Sequence, residues 1–578
     1  MHSFIASVAV IAAASLPAAA QSGATSRISV DSSGVQAEHD YSSQPSISSD
    51  GRFVSFASRA DNLVPGDTNG VQDLFLHDTV TGATMRVSVD PSGAQADLYS
   101  GAGVLSADGR YVVFASIATN LVPNDTNAKG DVFVHDMQTG ATERVSVSTA
   151  GIEANGSSTV FRAAISADGR YVVFSSFASN LVFGDFNARL DVFVRDRASS
   201  KTNRVSVDSG GAEGLLDSYY GAISADGRFV VFSSDSSFVP NDLNSAGDVY
   251  LFDRQGGLTT LVSLNSSGVQ GDSFSGAATI SALGRYIVFE SVATNLVASD
   301  TNGNYDVFVR DVVASTTSRV SVSSQGAQGM GQSRTASISA DGRYVGFDSY
   351  AANLVPGDTN GVNGVDTFVH DCFTHTTLRT SVDSAGVESN GYSNGNTVSG
   401  DGHRIVFQSG ATNLVPNDTN ALLDVFLREI FCWPASNYCE AGLSTNFCSP
   451  TMIASGTASA SSSSGFTLTC TGVEGQKTGL ILYGVSGRLA QPWGPIGGSV
   501  MCVAHPVQRT TSSNSGGTVN NCDGSISIDW LAFVAAHPGA LGQPLTPGAI
   551  IDAQCWYRDP PAPKGTNLSN GIEFELCP

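Results

Sequence analysis

A seven-fold internal repeat constrains this chain more than any other feature. The tripeptide Asp-Gly-Arg, or a close variant, recurs at spacings of 57 to 60 residues, with its glycine at Gly51, Gly109, Gly169, Gly227, Gly284, Gly342 and Gly402. Each unit contains four short β-prone runs separated by turn-forming residues, and no helical periodicity competes with them. A period of this length with four strands per unit predicts an all-β protein, a seven-bladed β-propeller with four-stranded blades over residues 21–431.

The two ends of the repeat region predict how the ring closes. Arg27-Ile-Ser-Val-Asp matches the fourth strand of a repeat, but no first three strands precede it. The last repeat ends at Asp424-Val-Phe-Leu-Arg-Glu and lacks a fourth strand. We therefore expect residues 26–30 to complete the last blade, which leaves the blade array without an open end.

Two further segments flank the repeats. Residues 1–20 hold an apolar run that ends in Ala18-Ala19-Ala20, the pattern of a cleaved signal peptide, which predicts export. Residues 432–578 hold eight of the nine cysteines and all four tryptophans. An even cysteine count in an exported chain favours disulfides, here up to four, over a zinc site, and the pairing stays open. Strand-like runs in this segment predict a small, disulfide-bonded, β-sandwich-like domain.

The amino-acid composition limits the kinds of partner that the chain can bind. The chain has 29 basic and 52 acidic residues, a net charge of −23, and only four lysines. It therefore has no basic stripe for a nucleic acid, and beyond the N-terminal run no segment reaches the ~18 apolar residues of a membrane span. We expect a secreted monomer, extracellular, at the cell surface or periplasmic, whose partner is an extracellular protein or glycan.

The repeat also carries a family resemblance. Ser-x-Asp-Gly-Arg-x-Val-x-Phe followed by Asp-Val-Phe-Val-x-Asp resembles the WD40-like, TolB-type (PD40) β-propeller repeat over residues 25–428. The resemblance implies the fold and a ligand-binding platform, not one chemistry. Some TolB-type propellers are polysaccharide lyases with histidines around a metal, and this sequence has no evident counterpart. The Cys-rich segment, with Cys522-Asp-Gly and Trp556-Tyr-Arg-Asp-Pro, resembles a C-terminal domain of secreted planctomycete-type bacterial proteins, which implies no function.

The loop between the second and third strands is acidic in every repeat. Its Asp, Asn and Asp positions are Asp67, Asn69 and Asp73; Asp125, Asn127 and Asp131; Asp185, Asn187 and Asp191; Asp242, Asn244 and Asp248; Asp300, Asn302 and Asp306; Asp358, Asn360 and Asp366; and Asp418, Asn420 and Asp424. Carboxylate and amide oxygens at this spacing suit Ca²⁺, so the loops predict weak calcium sites. The alternative is that these residues only cap the turn by accepting backbone N–H groups.

No catalytic residue is predicted. Gly391-Tyr-Ser-Asn-Gly and Gly271-Asp-Ser-Phe-Ser-Gly match hydrolase patterns, but both lie between blades, and we interpret them as chance. His77, His135 and His370 occupy equivalent positions on separate blades, where we expect solvated side chains that share no metal. The favoured function is a binding or scaffold module with its ligand on the loop face. The rival is a polysaccharide lyase or hydrolase, which would need carboxylates or a His/Arg cluster around the propeller axis.

Overall fold

The computed structural model describes residues 23–160, 164–360, 364–430, 435–439, 441–493, 499–546, 549–560, 562 and 565–577. The expected signal peptide and Cys432 lie outside these residues. Within them the chain is built of β-strands, turns and one short helix. None of these elements is a helix long and apolar enough to cross a membrane.

Residues 25–429 form seven four-stranded antiparallel sheets. The strands are β1 (Thr25–Arg27); in sheet 1, β2 (Ser42–Ile47), β3 (Phe53–Ser58), β4 (Asp73–Asp78) and β5 (Thr84–Arg86); in sheet 2, β6 (Ser100–Leu105), β7 (Tyr111–Ser116), β8 (Asp131–Asp136) and β9 (Ala141–Arg144); in sheet 3, β10 (Ser158–Thr159), β11 (Tyr171–Ser176), β12 (Asp191–Asp196) and β13 (Lys201–Arg204); in sheet 4, β14 (Ser218–Ile223), β15 (Phe229–Ser234), β16 (Asp248–Asp253) and β17 (Leu258–Leu261); in sheet 5, β18 (Ser275–Ile280), β19 (Tyr286–Ser291), β20 (Asp306–Asp311) and β21 (Thr316–Arg319); in sheet 6, β22 (Ser333–Ile338), β23 (Tyr344–Ser349), β24 (Asp366–Asp371) and β25 (Thr376–Arg379); and in sheet 7, β26 (Ser393–Val398), β27 (Arg404–Ser409) and β28 (Asp424–Glu429), completed by β1.

The sheets are arranged radially. First strands of neighbouring sheets contact one another, as β2 does β6 and β14 does β18, while β26 and β27 of the last sheet contact β2 of the first. The first strands are therefore innermost and the fourth strands outermost. This is the β-propeller architecture, which leaves only short strand edges.

The ring closes as the sequence predicts. β1 pairs antiparallel with β28, with Thr25 opposite Arg428 and Arg27 opposite Phe426. Arg428 is fully buried, and its Nη1 donates to the carbonyls of Gly23 at 3.1 Å and Asp383 at 3.0 Å. The N-terminal strand is thus held by main-chain pairing and by a buried guanidinium at its start.

The Asp-Gly-Arg turns explain how neighbouring sheets pack. Gly109 has φ +72, and a Cβ there would lie 2.3 Å from the ring of Phe53 in the preceding sheet, so only glycine allows this approach. The repeat predicts that the arginine of the turn forms a salt bridge to a neighbouring strand end such as Asp78. In the structure Arg52 Nε and Nη2 lie 2.9 and 2.7 Å from that carboxylate. This bidentate pair lowers the pKa of Asp78.

The three strand histidines correct a sequence expectation. His77, His135 and His370 are buried rather than solvated. Each Nδ1 lies within 2.8 to 2.9 Å of a threonine hydroxyl on the fourth strand. The third strand is an interior strand whose two faces are covered by neighbouring sheets, so even polar residues on it leave solvent.

The C-terminal segment forms smaller sheets. Its elements are β29 (Ser436–Tyr438), β30 (Thr451–Gly456), β31 (Phe466–Val473), β32 (Thr478–Gly484), β33 (Arg488–Trp493), β34 (Ser499–Val503), β35 (Val507–Arg509), β36 (Ser513–Asn514), β37 (Gly524–Asp529), α1 (Trp530–Ala536), β38 (Ile550–Arg558) and β39 (Thr566–Glu575). The order is β29-β39-β38-β32-β35 in one sheet, where β36 also pairs β32, and β30-β31-β37 in another. Residues of both sheets share a core around the fully buried Trp530.

The structure adds one helix and specific disulfide pairs to what the sequence predicts for this segment. Strand β37 ends at Asp529, whose side chain accepts a hydrogen bond from the Ala532 N–H and so caps helix α1. Disulfides join Cys439 to Cys502 and Cys448 to Cys522, and Cys577 is also disulfide-bonded. Cys372, Cys470 and Cys555 are free thiols, the last two buried.

The C-terminal sheets contact the Asp-Gly-Arg ends of sheets 6 and 7. Glu575 lies 3.0 Å from His403 Nε2, and Glu573 lies 3.5 Å from Arg343. The guanidinium of Arg488 stands 4.1 Å from the ring centroid of Phe373. These contacts lie on the side of the ring opposite the acidic loops.

Candidate functional site

The asparagine of the acidic loops is used in local hydrogen bonds. Asn69 Nδ2 donates to Asp73 at 3.0 Å and to the Ala96 carbonyl at 2.8 Å, and its Oδ1 accepts from the Val71 N–H at 3.1 Å. Asn127, Asn187, Asn302 and Asn420 make the same three bonds. In these five loops the asparagine amide bonds the loop to the segment that leads into the first strand of the next sheet. This is the turn-capping role that the sequence analysis gives as the alternative to calcium binding.

An arginine that the sequence analysis did not assign lies between the two carboxylates of six loops. Arg86 Nη2 is 3.0 Å from Asp67, and its Nε is 3.5 Å from Asp73. The equivalent arginines are Arg27, Arg144, Arg204, Arg319 and Arg379. The signal in the sequence is the arginine that precedes Val-Ser-Val in most repeats. These loops therefore carry their own buried cation.

The fourth loop replaces that cation with neutral donors. Leu261 stands where the other sheets have arginine. Gln270 Nε2 donates to Asp242 at 2.7 Å and to Asp248 at 2.8 Å. The hydroxyl of Tyr250 also donates to Asp242. All six other sheets have phenylalanine at this position of the third strand. Gln328 makes the same two bonds in the fifth loop, which keeps its arginine, so the Tyr250 hydroxyl is the donor that accompanies the loss of the arginine.

Burial sets the ionisation of these carboxyls. It raises the pKa of Asp67, Asp73, Asp191, Asp306 and Asp424. The effect is largest for Asp185, Asp248 and Asp358, where burial, aided by the neighbouring loop carboxylate, raises the pKa from 3.8 to about 6.

The raised pKa of Asp248 predicts that mild acid reduces the cost of burying this carboxyl. A carboxyl with a folded pKa near 6 and an ordinary unfolded value of 3.8 contributes stability that is fully present below 3.8 and is lost as the pH rises through 6. The buried His77, His135 and His370 act in the opposite direction, because burial lowers their pKa. The prediction is therefore a difference between two proteins: from pH 7.5 to pH 5 the melting temperature of the parent chain should rise relative to that of Asp248→Asn in calorimetric melts. A difference that stays constant over this interval would contradict the assignment.

Two loops gather three carboxylates each. Oxygens of Asp185, Asp191 and Glu213, and oxygens of Asp358, Asp366 and Glu388, lie within 4.8 Å of one another. In the sixth loop Asp358 Oδ1 and Asn360 Oδ1 are buried and accept no hydrogen bond from the described residues, and Arg379 is 3.9 Å from Asp358. The seventh loop also has two such oxygens, both on Asp418, but among the described residues only the sixth loop combines them with a group of three carboxylates.

Two carboxylates also lie on inner strands near the axis. Asp348 accepts from the Gly395 N–H at 2.8 Å and from Asn396 Nδ2 at 2.6 Å, and Glu290 accepts from the Thr335 N–H at 2.5 Å. The donating backbone N–H groups belong to the bulge in the first strand of the next sheet, where Thr335 has φ +60 and Gly395 has φ +72. Both acids therefore hold the adjoining sheet in place.

The loop ends of the inner strands form a rim whose framework repeats. A pair of serine hydroxyls links the first and second strands in every sheet, at 2.8 to 3.0 Å: Ser42 and Ser58, Ser100 and Ser116, Ser158 and Ser176, Ser218 and Ser234, Ser275 and Ser291, Ser333 and Ser349, Ser393 and Ser409. Because this pair recurs in every sheet, it accounts for the shared geometry of the rim.

The residues beside these serines do not repeat. We define the loop-end rim by three positions in each sheet. The first is the residue just before the first strand: Tyr41, Tyr99, Ser157, Asp217, Phe274, Gln332 and Tyr392. The other two are the residue just after the second strand (Arg59, Ile117, Phe177, Asp235, Val292, Tyr350 and Gly410) and the residue just before the third strand (Gln72, Gly130, Leu190, Gly247, Tyr305, Val365 and Leu423). Tyr41, Tyr99, Phe177, Tyr350 and Tyr392 are 37 to 55% exposed. The rim combines exposed aromatic rings with scattered polar groups, and sequence analysis did not single it out.

Comparisons with known proteins add limited information. No protein-family model matches the chain, and no curated protein matches it significantly. Similar solved structures include TolB from Acinetobacter baumannii (TM-score 0.32, 16% identity, 53% of this chain and 59% of that chain), an oligogalacturonate lyase in complex with manganese (0.41, 12%, 68% and 90%) and a prolyl endopeptidase (0.39, 12%, 75% and 54%). The chain spans 59% of the length of that TolB structure. The class of the protein, an all-β propeller, rests on its own sheet topology.

Proposed function

We propose that this chain is an exported, monomeric, seven-bladed β-propeller that binds an extracellular protein or glycan on its loop-end rim and catalyses no reaction. Residues 1–20 would be removed on export, residues 21–431 would form the propeller, and residues 432–578 would form a Cys-rich β domain. Two disulfides favour an oxidising compartment. The C-terminal contacts on the Asp-Gly-Arg side leave the rim free for a ligand.

The observation that carries this proposal is the contrast between repeated and unrepeated positions. The acidic loops, the Asp-Gly-Arg turns and the serine pairs recur around the ring, and their polar groups bond within the chain. The rim residues differ from sheet to sheet and expose aromatic rings. Exposed side chains that no folding requirement explains are the ones available for recognition.

The alternative function, a polysaccharide lyase or hydrolase, has one observation in its favour. Glu290 and Asp348 are two carboxylates on inner strands of adjacent sheets. Their oxygens accept hydrogen bonds from the neighbouring sheet, however, so a catalytic role would require those bonds to break. Asp348→Asn should therefore lower the melting temperature and leave ligand binding in place.

A binding screen tests the proposed function. The full mature chain, displayed against protein and glycan arrays, should bind a defined set of ligands without turning them over. The variant Tyr99→Ala/Tyr392→Ala, which removes two exposed rim rings, should lose at least tenfold in affinity, because aromatic anchors dominate recognition. A matched control is Val80→Ala/Val313→Ala on exposed turns of the opposite face. Equal affinity of both variants would contradict binding at the rim.

We also propose that calcium binding, if restricted to one loop, occurs at the sixth. Asp358, Asn360, Asp366 and Glu388 supply carboxylate and amide oxygens there, and two of these oxygens accept no hydrogen bond from the described residues. Because Arg379 already offsets part of the charge, affinity should be weak, ~10⁻⁴–10⁻³ M.

Melting the protein in millimolar Ca²⁺ and in EDTA tests the metal proposal. Ca²⁺ should raise the melting temperature of the parent chain, and Asp358→Asn should abolish the rise. Asp242→Asn in the fourth loop is the matched control, because Gln270 and Tyr250 already satisfy that aspartate. Identical curves with and without Ca²⁺, together with no bound calcium by elemental analysis, would leave only the turn-capping role.

A further inference from the structure

We propose that the part of the loop-end rim on sheets 4 to 6 is the subsite for a neutral oligosaccharide, which stacks on the rings of Phe274 and Tyr305 and hydrogen-bonds to Asp235. This inference rests on the proposed function and names its ligand class. It concerns one sector of the rim, in which two groups of contacting side chains meet at Gly247.

The series begins in sheet 4. The Tyr219 hydroxyl donates to Asp235 Oδ1 at 3.0 Å, and the Tyr219 ring packs edge-on against Tyr220 with centroids 4.9 Å apart. This hydrogen bond fixes the carboxylate and leaves Asp235 with further acceptor capacity, since a carboxylate has about four lone-pair sites. Asp235 can therefore accept from the hydroxyl groups of a ligand.

Gly247 joins this carboxylate to the aromatic part of the sector. A Cβ on Gly247 would lie 2.8 Å from Asp235 Oδ1 and 2.9 Å from the ring of Phe274. The carboxylate and the ring thus both pack closely against Gly247, and only a residue without a side chain allows them to approach each other here. Every other sheet except sheet 2 carries a side chain at the position of Gly247.

The series continues into sheets 5 and 6. The rings of Phe274 and Tyr305 are edge-to-face with centroids 6.2 Å apart, and the guanidinium of Arg334 lies 3.7 Å from the centroid of Tyr305. Rings that are already held by neighbours lose little conformational entropy when a ligand stacks on them. Flat rings beside a fixed acceptor and a fixed donor match the apolar C–H faces and the equatorial hydroxyls of a pyranose.

The charge of this sector indicates which glycans can bind there. Asp217 and Asp235 lie on this sector and Glu290 lies behind it, and among the described residues Arg334 is the cation that contacts its rings. The whole chain carries −23. An anionic chain such as a polyuronate would be repelled, so the sector favours an uncharged hexose oligosaccharide.

Titration calorimetry of the full mature chain tests the inference with cellohexaose, laminarihexaose and mannohexaose as neutral probes and trigalacturonate as the anionic probe. At least one neutral hexaose should bind, with trigalacturonate at least tenfold weaker. Phe274→Ala/Tyr305→Ala removes both rings, and Gly247→Ala displaces Asp235 and Phe274 from each other, so each variant should reduce affinity at least tenfold. Val80→Ala/Val313→Ala, on exposed turns of the opposite face, should change the affinity for a hexaose less than threefold. Calorimetric melts of each variant identify any variant that fails to fold.

The failure of this inference can be told apart from the failure of the proposed function. If no neutral hexaose binds, or if Phe274→Ala/Tyr305→Ala and Gly247→Ala both fold and bind as the parent does, the subsite is overturned. In that case, array binding that is lost in Tyr99→Ala/Tyr392→Ala would still support a rim-binding protein with another ligand. Preferential binding of trigalacturonate would overturn the charge argument and with it the assignment to neutral glycans.

Discussion

Deleting residues 23–31 should open the ring and make the propeller unstable. The deletion removes β1, which leaves β28 as an unpaired edge, and it removes the carbonyl of Gly23 that accepts from the buried Arg428. It also removes Ile28, which is buried in the cluster that joins the first and last sheets. Unfolding should therefore shift to much lower urea, and the exposed edge should promote aggregation.

A single substitution in the same segment allows its contribution to be measured as a free energy of unfolding. Ile28→Ala should lower the free energy of unfolding by about 2–5 kcal/mol, the usual range for a buried isoleucine. Val35→Ala, in the same N-terminal segment but exposed, should stay within about 0.5 kcal/mol of the parent. If the deletion variant keeps the urea midpoint of the parent chain, β1 does not close the ring.

Replacing Arg86 with methionine should be nearly as damaging. The side chains of Arg86, Asp67 and Asp73 are all less than 10% exposed, and removal of the guanidinium leaves two carboxylates buried without a cation. Breaking a buried ion pair from one side costs about 3–5 kcal/mol. Urea unfolding at pH 7.5 measures this loss, which should shrink at pH 5 as the carboxyls take up protons.

Two control variants test whether the loss of stability comes from removing the buried guanidinium of Arg86. Leu261→Met introduces the same methionine at the equivalent place in sheet 4, where no arginine is present, and should be close to neutral. Arg52→Met breaks an ion pair whose arginine side chain is 42% exposed, and should cost at most about 1 kcal/mol. If Arg86→Met costs no more than Arg52→Met, the loop arginines are not the structural cations described here.

The sequence predicted those parts of the fold that follow from comparing the repeats with one another. The ring closure and the Arg52–Asp78 pair could be inferred because the partners belong to recurring motifs of known spacing. The role of Arg86 was missed because it comes from the fourth strand, and only folding places it between Asp67 and Asp73. The histidines were misjudged for a similar reason, since the burial of His77 depends on packing between sheets.

The candidate binding surface was the least predictable part. Its residues, such as Tyr99 and Phe274, have no shared motif because each belongs to a different sheet and sits at a position that varies. They come together only when the inner strands meet around the axis. The acidic loops, by contrast, stand out in the sequence because they repeat, and that repetition reflects their structural role in most of the ring.

The central claim is that repeated positions hold the fold while rim positions bind the ligand. The most direct measurement compares Tyr99→Ala/Tyr392→Ala with Arg86→Met for both melting temperature and binding to whichever array ligand the mature chain selects. The rim variant should melt within about 2 °C of the parent, as exposed substitutions do, and lose its ligand, whereas Arg86→Met should melt far lower and still bind below its melting temperature. A rim variant that unfolds, or one that binds as the parent does, would contradict the account.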